Sequence, residues 1–464
     1  MSDELNEDIN LSEVFLETLS KNDAHLLREL LDEQNISDVV ELVNEFPAHE
    51  ATIIDHMTVH RAVSVFKILD INQQKDIIKE LPARKTAKIL NELPPDDRTD
   101  FLEELPKAAI RDLIKLLDPE ERKITLSLLG YPEDSVGRLM TPDYVYVYAH
   151  YTVAEVLNNI RKYGKKYETI DVIYIIDENG CLVDDIRIRD VLIEQPDAII
   201  KDIIDGRFVA LNVYDDQEHA SQVFKMNNRT AIPVVDDNDV LLGIVTIDDI
   251  LWVTNEEFSE DMQKMGGTEA LNEPYLDISI FKLFKKRITW LVILFFGEMF
   301  TATAMGYFEG EIKKVTLLAL FVPLILSSGG NSGSQASTLI IQAMSIGEIT
   351  ISNWWKILRR EITSGLLLGA VLGIIGFFRV MVWHSIAPGL YGEHWILIAF
   401  TIGITLIGVV LWGTIMGSML PILLKRLGAD PAVSSAPFVA TLVDVTALVI
   451  YFSVALLVLR GTLL

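Results

Sequence analysis

Five runs of apolar residues in the C-terminal part of the chain constrain its fold more than any other feature of the sequence. They lie at about 288–308, 316–342, 362–384, 395–420 and 436–459, and each is nearly free of charge. An α-helix needs about 20 apolar residues to cross the hydrocarbon core of a bilayer. The sequence therefore predicts a transmembrane domain of five helices at 284–464, surrounded by membrane lipid.

The net charge is concentrated outside this apolar part. The whole chain carries −26, whereas the residues from Ile288 onward contain nine Lys/Arg and eight Asp/Glu, which leaves −27 for residues 1–287. A nucleic-acid binder needs basic surface to meet phosphates, so this class of protein is excluded. A strongly acidic soluble part instead favours cations as ligands.

Basic residues between the spans predict the orientation in the membrane. They cluster at 282–287, 356–360 and 425–426, and the connections on the other side hold only Lys313 and Lys314. Lys and Arg are enriched on the cytoplasmic side, so we expect the N-terminus in the cytoplasm and the C-terminus outside. The chain start does not resemble a secretory signal, and its single cysteine fits a reducing compartment. We expect a multi-pass protein of the cell (inner) membrane.

A Leu-Pro pair recurs along the front of the chain. It occurs at Leu81-Pro82, Leu93-Pro94 and Leu105-Pro106, and Leu117-Asp118-Pro119 continues the series. Proline fits the first turn of a helix and disfavours helix in the residue before it, so each unit reads as one short helix. The sequence therefore predicts an α-helical, superhelical N-domain at 1–135, in which each helix packs on its neighbours.

A second repeat follows this array. The stretch Ile173–Leu182 realigns 59 residues later with Ile232–Leu241, each reading as strand, acidic turn and strand between two amphipathic helices. The pair resembles tandem cystathionine-β-synthase (CBS) domains, an α/β regulatory module. We expect the first domain at 136–199 and the second at 200–252.

A helix with two contrasting faces connects this pair to the membrane. Leu251, Phe258, Met262 and Met265 share one face, and acidic residues occupy the other. This pattern predicts an amphipathic linker helix, which we assign with its connection to 253–283. The alternative is a merely solvated connector.

Carboxylates inside the spans are candidates for function, because a charge in hydrocarbon costs several kcal/mol. Glu298 lies in the first span and Asp444 in the fifth, next to Thr441. The second span reads SSGGNSGSQAS, in which Asn331 and Gln335 supply amide oxygens. We expect its glycines to loosen the helix. Irregular backbone at membrane depth is tolerated where it borders protein or a water-filled cavity. Together these residues outline a polar pathway.

The chemistry of this pathway favours a hard cation. It has oxygen ligands, no basic cluster and no cysteine, which disfavours anions and soft transition metals. One carboxylate per chain is too little for a dehydrated ion. Two copies of Asp444 across a dimer axis would suit Mg²⁺, which keeps its waters.

The order of these parts resembles the MgtE family of magnesium channels, with PLILSSGGNSGSQAS at Pro323–Ser337 and ADPAVSSAPFVATLVDVT at Ala429–Thr446 as the specific motifs. The resemblance implies a homodimer with its pore between protomers, lined by spans two and five. It implies Asp444 as the ion-binding carboxylate, with the backbone of Ala440 close to the ion. It also implies cytosolic domains that bind Mg²⁺ and close the pore, and the matching acidic positions are Asp96, Asp100, Asp248, Asp249, Glu256, Glu257, Glu260 and Asp261.

Three alternatives stay open at this point. CBS pairs can bind adenosine nucleotides, and Thr246 and Asp249 stand where a ribose of ATP would be held, although Asp184 in the first repeat replaces Gly243 of the second. Such a nucleotide-sensing membrane protein is one alternative, and a transporter of another divalent cation, Co²⁺ or Mn²⁺, is the next. An enzyme in the helical array is suggested only by Asp55, His56 and His60, and we do not expect catalysis.

Overall fold

The computed structural model describes residues 11–21, 23–271, 275–276, 278–387 and 391–463. The first ten residues of the expected N-domain and the C-terminal Leu464 lie outside the described residues. The chain divides between Thr254 and Asn255 into two compact units.

Within residues 11–128, as far as the structure describes them, the N-terminal unit contains ten short helices. They are α1 (Leu11–Ser20), α2 (Ala24–Glu33), α3 (Ile36–Glu45), α4 (Glu50–His56), α5 (Val59–Phe66), α6 (Ile71–Glu80), α7 (Ala83–Glu92), α8 (Pro95–Glu103), α9 (Lys107–Ile114) and α10 (Pro119–Leu128). The recurring prolines stand where helices begin: Pro82 and Pro106 cap α7 and α9, and Pro119 opens α10. The expected array of short helices is confirmed.

The most extensive contacts in this array join a helix to the one two further along the chain, as α5 to α7 and α8 to α10, whereas α1 packs on α2. One continuous apolar core results, running from Phe15 to Leu117. Arg98 of α8 is fully buried beside this core. Its guanidinium donates to Thr125 (2.8 Å) and to the carbonyl of Leu90 (3.1 Å), and it pairs with Glu121 at 2.6 Å. These contacts satisfy a charge that would otherwise be costly to bury.

The rest of the unit is α/β. Its elements are α11 (Val136–Leu139), β1 (Tyr146–Tyr148), α12 (Val153–Tyr163), β2 (Val172–Ile176), β3 (Leu182–Arg187), α13 (Ile188–Ile193), β4 (Leu211–Asn212), α14 (Gln217–Asn227), β5 (Ala231–Val235), β6 (Leu241–Thr246) and α15 (Ile247–Met265). In each repeat a short strand pairs parallel with the second, which pairs antiparallel with the third. The repeated strand–turn–strand of the sequence is confirmed, and α15 continues from it as one helix across the boundary between the units.

The described residues of the C-terminal unit form five helices that are long and apolar enough to cross a membrane. They are α16 (Ile280–Tyr307), α18 (Val322–Ser345, extended by a 3₁₀ turn at Thr316–Phe321), α19 (Trp354–Ile386), α20 (Trp395–Arg426) and α21 (Ala436–Leu459), and a short α17 (Glu309–Lys314) follows α16. This count confirms the five predicted spans.

Glycines bring these helices together. α20 packs between α19 and α18, and α21 packs on α18, α20 and α16. A Cβ atom on Gly417 of α20 would lie 2.0 Å from the carbonyl oxygen of Gly333 in α18, and one on Gly413 would lie 2.5 Å from that of Gly329. Only glycine permits this approach of two backbones.

The expected loosening of the second span is wrong. Residues Val322–Ser345 form one continuous α-helix through SSGGNSGSQAS. Gly329, Gly330 and Gly333 are buried against α20 and α21. Packing against neighbouring helices compensates the low helix propensity of glycine, so these residues serve contact between helices.

Candidate functional site

The carboxylate of Asp444 lies against the backbone of α18. Its Oδ1 is 3.5 Å from the position that a Cβ atom would take on Gly330, and Ala440, one turn earlier, is 3.4 Å from the same position. Ser435 caps the start of α21 by accepting a hydrogen bond from the amide of Phe438. The cap and the Gly330 contact together fix where α21 presents Asp444.

Polar side chains of α18 form a stripe that is exposed in the single chain. Ser327, Asn331 and Gln335 recur at every fourth residue, which places them on one helix face. The amide of Asn331 donates to the hydroxyl of Ser327 at 3.2 Å. Three polar groups in a row at membrane depth point to water or a partner surface, since lipid offers them no hydrogen bond.

The other two predicted pathway residues are Thr441 and Glu298. The hydroxyl of Thr441 donates to the carbonyl of Pro437 within α21 (3.0 Å), and its methyl group packs against Gly297 of α16. Glu298 is exposed in the single chain and is near enough to Asp444 for the two carboxylates to repel each other. α16 and α21 therefore bring both spans' carboxylates to one region.

The end of α15 contacts the ends of the two helices that carry these residues. The hydroxyl of Ser345, the last residue of α18, donates to Asp261. Lys264 pairs with Glu260 and, at 2.7 Å, with Asp430 in the connection between α20 and α21. Burial raises the pKa of Asp261, with a further increase from Asp430.

An acidic cluster joins the helical array to the CBS pair within the N-terminal unit. We use this name for Asp96, Asp97, Glu168, Asp248 and Asp249, which influence one another electrostatically. α8 supplies the first two residues and α15 the last two. Two helices distant in sequence and the loop that carries Glu168 thus bring five carboxylates into one region.

The acidic cluster holds its charge at a cost. Burial raises the pKa of Asp96, and the neighbouring carboxylate of Asp249 raises it further. Burial likewise raises the pKa of Asp249 to about 7, despite the hydrogen bond that the hydroxyl of Thr246 donates to it at 2.5 Å. Burial opposes the charge on Lys67, but Asp97, Glu168 and Asp248 outweigh it and raise the pKa of this lysine.

One atom of the acidic cluster has no hydrogen-bond partner. Asp96 is 7 % exposed, and its buried Oδ1 accepts no hydrogen bond. An unpaired buried carboxylate oxygen is costly and fits a site for a hard cation. In the described part of the chain, however, no three His, Cys, Asp or Glu side chains stand ready to hold a metal ion.

Five predicted sensor residues lie apart from this cluster: Glu260 and Asp261 near the end of α15, and three others. Asp100 is exposed on α8 and contributes to the environment of Glu103, whose pKa burial raises to about 7. Glu256 is exposed and Glu257 half-buried on α15. Conversely, the sequence did not single out Asp97, Glu168 or Lys67. Asp97 adjoins Asp96, which is a local signal, whereas only the tertiary fold brings Glu168 and Lys67 to them.

A cavity of about 760 Å³ lies between the two CBS repeats. Its lining includes the basic residues Arg187, Arg189, Lys225 and Arg229. Thr246 and Asp249, the expected ribose contacts, do not line it, because Asp249 turns toward Asp96 instead.

The two repeats differ at the pair Asp184 and Gly243. The buried carboxylate of Asp184 accepts a hydrogen bond from the amide of Gly206 (2.8 Å). A side chain at Gly243 would meet the carbonyl oxygen of Thr141 at 2.8 Å. Asp184 and Gly243 therefore contact different neighbours, so the two CBS repeats are not equivalent at this position.

Comparison with known proteins covers nearly the whole chain. The sequence model of MgtE, described as a divalent cation transporter, matches residues 322–454, and that of the MgtE intracellular N domain matches 34–134. CBS domains match 136–197 and 200–255.

Relatives and solved structures agree with these matches. The magnesium transporter MgtE of Thermus thermophilus is 36 % identical over 96 % of this chain and 98 % of its own length. That of Bacillus subtilis is 29 % identical over 92 % and 93 %. A crystal structure of the cytosolic domain of the Mg²⁺ channel MgtE in complex with ATP is similar at 34 % identity and a TM-score of 0.51, covering 52 % of this chain and 99 % of that one. The intracellular N domain, the CBS pair and the membrane domain follow one another in this order along the chain, which belongs to the MgtE family.

Proposed function

We propose that this protein is a Mg²⁺-selective channel or transporter, closed by Mg²⁺ that binds its acidic cytosolic part. The observation that carries the proposal is the carboxylate of Asp444 against Gly330, beside the polar stripe of α18. Its relatives are named magnesium transporters. The proposal assigns ion binding to Asp444 with the backbone of Ala440, and assigns the lining of the pore to Asn331, Gln335, Thr441 and Glu298.

The pathway is proposed to form between two copies of the chain. Asn331 and Gln335 are exposed in a single chain, and one carboxylate does not satisfy a divalent cation. A homodimer would bring two carboxylates and two amide stripes together. Two copies of Asp444 could then hold Mg²⁺ through its waters, which this ion gives up reluctantly.

The test of the pathway is Mg²⁺ flux into liposomes that contain the full chain. Asp444→Asn keeps the size of the side chain and removes its charge, so we expect flux to be lost while the protein assembles normally. Glu348→Gln, an exposed carboxylate of the connection after α18, serves as the comparison and should conduct as the wild type does. Normal flux in Asp444→Asn would remove this residue from the pore.

The acidic cluster is proposed to sense cytosolic Mg²⁺, together with Glu260 and Asp261 near the membrane. Ions that bind only the closed form stabilise it by about 1.4 kcal/mol per site at tenfold excess. Converting a mostly open gate to a mostly closed one takes about 5.5 kcal/mol, or roughly four sites. Deleting residues 1–130 should leave a conducting protein that is less tightly inhibited by cytosolic Mg²⁺. A folded deletion variant without conduction would contradict this regulatory role.

The CBS cavity is proposed to bind ATP, as the related cytosolic domain does. Arg187 and Lys225 offer charge for phosphates, and Phe224 offers a ring for the base. This assignment replaces Thr246 and Asp249. Titration of the purified chain with ATP should show binding that Arg187→Gln weakens, whereas Arg161→Gln, outside the cavity, should bind as the wild type does.

The remaining expectations complete the proposal. We place the protein in the cell (inner) membrane with its N-terminus in the cytoplasm, and we keep domain limits at 135, 199, 252 and 283. The second candidate function is transport of Co²⁺ or Mn²⁺, because carboxylate and carbonyl oxygens also suit these ions. Competition of each ion against Mg²⁺ in the flux assay separates the two candidates.

A further inference from the structure

Lys264 connects the linker helix α15 to the segment that begins the last membrane helix. Its ammonium group lies 2.7 Å from Oδ2 of Asp430, and it also pairs with Glu260 one turn earlier on α15. The side chains of Lys264 and Asp430 are only 27 % and 35 % exposed, so water screens this pair in part. Burial opposes the charge, but Asp430 and Glu260 outweigh it and raise the pKa of Lys264, which therefore stays charged.

Asp430 transmits this contact to α21. Its other oxygen, Oδ1, accepts a hydrogen bond from the amide of Ala432 at 2.8 Å and so fixes the turn Pro431–Val433. Ser435 then caps α21. The position of Lys264 thus bears directly on the start of the helix that carries Asp444.

A second contact three residues away fastens α15 to α18. The hydroxyl of Ser345 donates to Asp261, and Gly267, just after α15, lies against Pro437 of α21. One end of α15 therefore contacts the cytoplasmic ends of both proposed pore helices. Of these contacts, the one made by Lys264 brings its own positive charge.

We propose that Lys264 is a built-in latch, whose ammonium group holds α15 on Asp430 without any bound metal ion. The inference rests on the proposed function, in which the cytosolic part closes the pore. A divalent cation bridging Glu260 and Asp430 would add to a closure that the lysine has already begun. The protein would then have a basal closed fraction even when cytosolic Mg²⁺ is low.

The first test is Mg²⁺ flux through the full chain in liposomes at low cytosolic Mg²⁺. A partly exposed ion pair changes an equilibrium modestly, so Lys264→Gln should raise basal flux about three- to tenfold. Asp430→Asn should raise basal flux similarly, because it removes the charge that pairs with Lys264. Its amide oxygen can still accept the hydrogen bond from Ala432, so the turn should persist. The double variant should resemble either single variant, since both remove one interaction. Lys313→Gln removes an exposed lysine that pairs with Glu309 within α17 and should leave flux unchanged.

Unchanged or reduced flux in Lys264→Gln would overturn the latch, as would effects that simply add in the double variant. Reduced flux would mean that the lysine competes with cations for Asp430 and holds the gate open.

A second measurement separates failure of the latch from failure of the proposed function. Spin labels at Met262 and Leu427, both exposed, report the distance between α15 and the end of α20 in full-length protein carrying Cys181→Ser. In metal-free protein we expect a narrow distribution that Lys264→Gln broadens. Broadening in a protein that conducts no Mg²⁺ supports the latch and rejects the function. An unchanged distribution rejects the latch even in a conducting protein.

Discussion

The carboxylate of Asp444 approaches α18 at Gly330, with Oδ1 3.5 Å from where a Cβ atom would stand. The contact joins the two specific membrane motifs of the sequence, since Gly330 belongs to SSGGNSGSQAS and Asp444 to FVATLVDVT. A glycine here leaves a side of the carboxylate accessible. The size of the residue at position 330 should therefore control access of an ion to Asp444.

Substituting Gly330 tests this control. Alanine adds one methyl group at ordinary contact distance from Ala440 and Asp444, so Gly330→Ala should keep most of the Mg²⁺ flux. Gly330→Val places two further methyl groups beside the carboxylate and should lower flux at least about tenfold, because an apolar neighbour hinders a hydrated charge. Gly306→Val, at a position with no neighbour within 4 Å, is the matched control. Equal flux in both valine variants would show that Gly330 does not border the path.

The close approach of α18 and α20 should be sensitive to one added methyl group. Gly417→Ala would put Cβ 2.0 Å from a backbone oxygen of Gly333, so the helices must separate, at a cost of roughly 1–3 kcal/mol. Thermal unfolding of the purified protein in detergent should show a lower Tm. Gly408→Ala meets only a side-chain atom of Ile450 at 3.5 Å, and its Tm should not fall. If Tm falls equally in both variants, the loss of stability comes from replacing a glycine of α20 and not from the contact between Gly417 and Gly333.

The acidic cluster predicts how stability depends on pH. The folded pKa of Asp249 is raised to about 7 from its ordinary value of 3.8, so its stabilising contribution is present below pH 3.8 and is lost as pH rises through 7. Metal-free residues 1–265 should therefore unfold at lower temperature at pH 8 than at pH 6. Asp249→Asn should remove part of this difference, and Asp197→Asn, an exposed residue between α13 and β4, should retain it.

Added Mg²⁺ should act in the opposite direction. It binds the ionised carboxylates, so its stabilising effect should be larger at pH 8 than at pH 6. An increase in Tm that is the same at both pH values would contradict cation binding at this cluster.

Arg98 should support the acidic cluster from inside α8. Arg98→Met leaves the buried carbonyl of Leu90 without this donor, whereas water can solvate Glu121, which is 30 % exposed, so we expect a cost of roughly 1–3 kcal/mol. Unfolding of residues 1–265 by urea should show this loss, whereas Arg111→Met on an exposed face should show little. In the full chain, closure of Arg98→Met should require more cytosolic Mg²⁺. If Arg98→Met lowers stability as expected but closes at the same Mg²⁺ concentration as the wild type, Arg98 does not support the sensing of Mg²⁺ by the acidic cluster.

The sequence predicted the architecture well because its strongest signals are local. Apolar runs predicted the five spans, Leu-Pro pairs predicted the boundaries of α7 to α10, and the 59-residue repeat predicted both CBS sheets. Each signal depends on a few neighbouring residues.

The details of the sites depend on tertiary contacts and were harder to predict. The glycines of the second span resembled a break in the helix, but contacts with α20 and α21 keep it continuous. Asp249 resembled a ribose ligand by position, yet the fold turns it toward Asp96. Lys67 and Lys264 belong to no sequence motif. Each pairs with a carboxylate that is distant in sequence, Asp97 for Lys67 and Asp430 for Lys264. Spacing in one chain cannot reveal such meetings.

The backbone contact between α18 and α20 bears on how an ion path can open. At Gly333 and Gly417 no side chain separates the two helices, so there is no soft layer that could be compressed or repacked as one slides past the other. We expect α18 and α20 to move as a single body. The path then widens by movement of α21 and α16, which carry Asp444 and Glu298. The amide side chains of α18 keep their positions relative to α20 during this movement.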